Sequence, residues 1–391
     1  MPLFEPSTTP AGQRPKRYGE SIYAYYRDSE RPGVVAIRDL LEVWFLEVPL
    51  DEQLDLQQRF RSPIERHYRS AMFELFLHHL LLRCGFQLEF HPDVPGVQRH
   101  PDFLVSREGQ ELFYLEAIAV SNSVREEVET NRMNQVYDVL NGLASPDFYL
   151  GMRLEGAPAT QPAGARLRRE LGVWLATLDR QAIQQSYLEE RYEDVPVYEW
   201  EHDGWRIIFE PMPKGDAART DPSVRPLAMA MAMPMQARQL RLDEALKDAV
   251  AKKDRYGRLP LPLVVAVQVI DEFRIDRIAV MDGLFGPEAI GVNAQGLERP
   301  GRVPDGAWVS PAGPRHRTIS TVMAWSTLDP WTFTSIEPIV AHNPYASIPL
   351  PTDTLPVAQH VVDNQRDLLV LQAGVSMEQL LGLARDWLPG D

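Results

Sequence analysis

Between residues 64 and 120 the apolar pattern changes from a helical to an extended period, and this change limits the possible folds more than anything else in the chain. Phe73, Phe76, Leu77, Leu80, Leu81 and Cys84 recur at i, i+3, i+4, i+7, i+8 and i+11, which is one face of a helix. Pro63 opens that helix and Gly85 stops it, each in its preferred place. "FQLEFH", "PDFLVS" and "ELFYLEAIAV" then read as strands. A helix with one apolar face followed at once by a strand meander can bury that face only against the sheet. The expected class is α/β with a mixed sheet.

The rest of the chain reads in keeping with that class. Residues 1 to about 30 are a Pro-rich polar arm, and "VVAIRDLLEVWFLEVP" is a helix halted at Pro49. "VREEVETNRMNQVYDVLNGL" is a helix ending at Gly142, and "FYLGMRLEG" is a further strand. Beyond residue 157 come an amphipathic helix, a hairpin turning at Asp203-Gly204, and an alternating row of Met229, Met231, Met233 and Met235. The helix "LDEALKDAVAKKDRYG" then leads into "PLVVAVQVI", an apolar run of the kind found in buried strands. Three segments are expected: residues 1–62 as arm and helix, 63–156 as core, and 157–391 as an α/β elaboration packed on that core.

With 44% hydrophobic and 24% charged residues the chain can bury a core. No apolar run reaches the roughly 20 residues of a membrane helix, so no membrane partner is expected. The start of the chain has no signal-peptide pattern, and Cys84 is the single cysteine, which excludes an internal disulfide and suits a cytoplasmic setting. A net charge of −15 argues against coating nucleic acid by bulk electrostatics. Local basic clusters remain at Arg59, Arg61, Arg66 and Arg69, and at Arg166, Arg168 and Arg169.

Three acids interrupt the apolar pattern. At about 100° per residue Glu74 falls at the edge of the apolar helix face, beside Leu81. "PDFLVS" and "ELFYLEAIAV" flank a turn containing Gly109. An odd-numbered loop centred on Gly109 puts Asp102 directly opposite Glu116, with Cβ atoms about 4.5–5.5 Å apart. Carboxylates that close repel unless one is protonated or a cation lies between them. Mg²⁺ or Mn²⁺, held by Asp102, Glu116 and a backbone carbonyl such as that of Ala117, resolves the conflict and suits phosphodiester chemistry. A metal-free carboxylate pair serves glycoside hydrolysis, but no aromatic sugar platform accompanies this one.

Helix-Glu, strand, Pro-Asp, hairpin, Glu-x-x and helix, over about residues 64–156, resemble the PD-(D/E)xK restriction-endonuclease-like superfamily. The resemblance implies an α-β-β-β-α-β core, with metal held by Asp102 and Glu116 and a further acid from Glu74. It also implies a nucleic-acid substrate, DNA more than RNA. Where the family carries its lysine this chain has Ile118. A substitute is expected from another element: Arg132 or Gln135 on the following helix, where Gln135 and Tyr137 resemble a family element with altered spacing, or more distantly Lys252 or Lys253. Two functions follow from these residues, beside the plainer reading of an α/β structural protein whose acids are surface pairs. One is a metal-dependent nuclease. The other is a catalytically silent domain of the same fold that binds nucleic acid or a protein.

Overall fold

A computed structural model describes the chain except for residues 95, 97–99, 121–123, 144, 221–228, 233–241, 255–258, 270–275, 293–297, 327, 364–367 and 391. It is mixed α/β and divides into two compact units. One comprises Met1–Arg14, Ser21–Ser121 and Gln239–Asp391; the other comprises Pro15–Glu20 and Asn122–Arg238. These boundaries differ from the three segments read from the sequence. No helix among the described residues is long and apolar enough to cross a membrane.

The first unit is built on an eight-stranded sheet. Its first three strands, Gln87–Phe90, Phe103–Arg107 and Gln110–Val120, form an antiparallel meander. Leu263–Val269 lies beside the third, parallel to it, and Ile319–Trp325 follows, again parallel. Both of these inner strands are buried at all seven positions, as strands covered on two faces should be. Ile339–His342, Gln359–Asp363 and Leu368–Gln372 complete the sheet. One face carries the Glu65–Arg83 helix, with Phe73, Phe76, Leu77 and Leu80 packed on Phe103, Val105, Phe113 and Leu115. The other carries the helices Leu242–Lys253 and Arg277–Phe285, packed on Val265, Val267, Val322 and Ala324.

The second unit has its own core around Leu150, Leu167, Leu171, Trp205 and Phe209. Its four-stranded sheet holds Phe148–Gly156, Tyr198–His202, Trp205–Pro213 and Met229–Ala232. The Asp203-Gly204 turn falls where expected, with both residues at positive φ. Of the methionine row, Met229 and Met231 lie on a strand, while Met233 and Met235 fall outside the described residues.

The sequence reading of the core needs one correction. The Val124–Asn141 helix and the Phe148–Gly156 strand were expected to finish the sheet begun by the meander, yet both belong to the second unit. The helix and strand that do extend that sheet are Leu242–Lys253 and Leu263–Val269. A parallel neighbour requires a crossover connection, and here the second unit lies within that connection along the chain.

Candidate active site

The hairpin brings Asp102 and Glu116 together. Phe103 pairs with Leu115, so the next positions outward are 102 and 116. The loop that achieves this is not odd-numbered. Arg107 pairs with Gln110 across a two-residue turn, Glu108-Gly109, whose φ values are +52° and +79°, as a type I′ hairpin turn requires. Such a turn alone would offset the acids by one residue. A bulge restores the register: Val105 faces Phe113 but Ser106 faces Glu111, leaving Leu112 extra. Asp102 Oδ2 then accepts the Ala117 amide at 2.7 Å. The amide of Ala117 is thus the group engaged here, whereas a metal would use its carbonyl.

Glu116 is 1% exposed, on the sheet face that carries Leu104, Tyr114 and Val265. Its Oε2 accepts a hydrogen bond from Lys253 Nζ. Its Oε1 is buried and, among the described residues, receives no N–H or O–H donor, and a bond to Asp102 forms only if the two carboxyls share a proton. Burial, then the charge of Asp102, pushes the Glu116 carboxyl up to about 8 against the opposing pull of Lys253.

Lys253 reaches this position because of its place on the helix. Leu246, Ala249 and Val250 are buried, and residue 253 continues their i, i+3, i+4, i+7 stripe. The helix therefore aims a lysine stem where its next apolar side chain would go, with the ammonium at its tip on Glu116. That stripe was the available sequence signal. Ile118, two residues along the strand from Glu116, packs into the apolar cluster of the same face.

Glu74 is differently placed. Its side chain is 12% exposed, and both oxygens are taken by Arg59, whose Nη1 and Nη2 each donate at 2.7 Å. Burial raises its carboxyl, Arg59 opposes the rise, and the charge of Asp102 adds to it. Asp102 therefore acts electrostatically on both glutamates, but Glu74 is committed to an arginine. Among the described residues no group of three or more His, Cys, Asp or Glu side chains is arranged to hold a metal ion. Asp102 and Glu116 form a pair, and the expected third ligand is not gathered with them.

Arg132 and Gln135 belong to the second unit, not to the one bearing the acid pair. Arg132 donates to the carbonyls of Pro158 and Ala159, Gln135 is exposed, and Tyr137 is a core ring beside Tyr18 and Trp205. The basic cluster near residue 60 is largely used internally. Arg59 holds Asp55 and Glu74, Arg61 holds the carbonyls of Pro2 and Leu3, and Arg69 holds Glu65.

Comparison with known protein families, with curated proteins and with solved structures found no match.

Proposed function

We propose that this protein is a divalent-metal-dependent hydrolase of nucleic-acid phosphodiester bonds, on a core like that of the PD-(D/E)xK restriction-endonuclease-like superfamily. The observation that carries the reading is the Lys253 ammonium on Glu116 beside Asp102. In the motif a lysine stands two residues beyond the second acid on the same strand. Here Ile118 holds that place, and the next helix of the same sheet supplies a lysine to the same acid. The order helix, three-stranded meander, helix and parallel fourth strand also supports the reading, once the second unit is treated as an insertion.

Asp102 and the unpartnered oxygen of Glu116 suit a hard cation such as Mg²⁺ or Mn²⁺, which takes one or two carboxylates and keeps several waters. Glu74, saturated by Arg59, is not counted among the ligands. A cation held by Asp102 and Glu116 would supply an acidified water and positive charge at the phosphate. The protein's own role is to hold two carboxylates in register and keep the Lys253 charge beside them. There the ammonium stabilises negative charge as it develops on the phosphoryl oxygens.

A second reading, a domain that binds without cleaving, is favoured by the near-complete burial of Glu116 and by the Arg59–Glu74 pair. Incubating wild type and Asp102→Asn with DNA and RNA, in Mg²⁺, Mn²⁺ or EDTA, separates the two. The hydrolase reading expects wild type to cleave only with metal and Asp102→Asn to fall to background. Asparagine keeps an acceptor for the Ala117 amide, so the fold should persist. Binding without cleavage by wild type in every metal would select the second reading.

A further inference from the structure

Asp254 directly follows Lys253, and it ties the end of that helix to a basic turn. Asp254 Oδ2 bonds to His316 Nδ1 at 2.8 Å, and Thr318 Oγ1 donates to the other oxygen. His316 is 11% exposed and has φ +46°, an uncommon conformation for a residue with a Cβ. The backbone around it is braced. Arg315 N donates to the Trp308 carbonyl at 2.8 Å, Ile319 N to that of His316 at 3.1 Å, and Ser347 N to that of Arg317 at 2.7 Å. Asn343 Nδ2 also donates to the His316 carbonyl, at 3.2 Å. A conformation held so firmly in a sparsely used region is a feature of ligand clamps.

The turn presents two arginines. Arg315 and Arg317 are exposed, and among the described residues neither forms an ion pair. Arg317 gives Nε to the Tyr345 carbonyl at 3.0 Å, which fixes the guanidinium plane and leaves its terminal nitrogens available. Arg315 makes no such bond, though its charge is felt by Asp254. Two forked cations that form no ion pair among the described residues, on a chain of net charge −15, suit bidentate contact with phosphate oxygens. Asp254 links them to the acid pair through Lys253, and neighbouring Cα atoms stand only about 3.8 Å apart.

We propose that Arg315 and Arg317 dock the phosphodiester backbone of a nucleic-acid strand whose scissile bond lies at Asp102, Glu116 and Lys253. Asp254, through His316 and Thr318, sets the spacing between docking turn and reacting site. The proposal rests on the hydrolase reading for its class of partner. An acidic peptide is the competing occupant, but a strand with a phosphate at every nucleotide can engage both arginines and continue to Lys253.

Fluorescence anisotropy with a short labelled DNA duplex and its single strand, in EDTA and across a salt series, tests it. Wild type should bind. Arg315→Gln/Arg317→Gln should bind at least tenfold more weakly at low salt. Its slope of log K on log salt for the duplex should be shallower by about 1.8, that is about 0.9 for each lost phosphate contact. Arg315→Lys/Arg317→Lys should keep the slope and lose some of the affinity, which guards against misfolding of the first variant. Arg277→Gln/Arg385→Gln, the same charge change at two other exposed sites of the first unit, should keep both. Absence of wild-type binding, equal losses in the charge-matched control, or preferential displacement by polyglutamate would overturn the proposal. Binding through these arginines without metal-dependent cleavage would retire the hydrolase reading and leave the docking turn. Cleavage with unaltered binding by the double variants would do the reverse.

Discussion

Among single side chains, Glu116 carries a strongly displaced carboxyl. A carboxyl raised to about 8 from its usual 4.5 keeps, in the folded state, a proton that the unfolded chain has already lost. Between those two values the native state binds more protons, so stability falls as pH rises through the window and levels off above it. Glu116→Gln removes this titration. In EDTA the variant should gain on wild type as pH climbs from about 4.5 to 8, by up to a few kcal/mol, with some of the gain offset because Lys253 loses its counter-charge. Thermal melts across that range provide the check, and a difference that does not vary with pH would contradict the assignment. The residue types here were legible early: an acid at the edge of an apolar helix face, and two acids equidistant from a turn. Arg59 was legible only as a member of a basic cluster, because nothing local says which acid an arginine will choose. Lys253 was named from the sequence only as a distant alternative beside Lys252, because the stripe of Leu246, Ala249 and Val250 singles it out only once that helix is known to cover Glu116.

Among the helices and strands, the hairpin shows how a correct register can rest on a different loop. A three-residue loop centred on Gly109 and a two-residue loop followed by a bulge at Leu112 both set 102 opposite 116. The alternation of apolar residues cannot distinguish them, because the bulge leaves Leu112 and Phe113 in the same core. The two-residue turn predicts a conformational cost at Gly109. Its φ is +79°, and an added Cβ would meet nothing within 4 Å. Gly109→Ala should therefore destabilise by about 1–2 kcal/mol through backbone strain alone. Chemical denaturation measures this, and an unchanged midpoint would argue against the left-handed turn. The Phe148–Gly156 strand was recognised as a strand but assigned to the wrong sheet. Its residues pattern well for either, and the choice was made by long-range pairing with Trp205–Pro213.

For the molecule as a whole, the mixed α/β class and the buried character of the Leu263–Val269 strand followed from patterning, since an almost wholly apolar strand is one covered on both faces. The division into two units did not. A segment that leaves the meander after residue 121 and returns at 239 carries no compositional mark at either end. The lysine is therefore separated from its acid by more than a hundred residues of chain, and the fold alone rejoins them. That separation can be tested by moving the lysine. Residues 116 and 118 point to the same face of the strand, so a lysine at 118 can aim its amine at the acid pair from the place the motif uses. Metal-dependent cleavage should be lost in Lys253→Gln and recovered, at least partially, in Lys253→Gln/Ile118→Lys, with both variants folded by thermal melt. Cleavage undiminished in Lys253→Gln, or a loss that the second lysine cannot recover in a folded protein, would contradict the claim that Lys253 stands in for the missing residue.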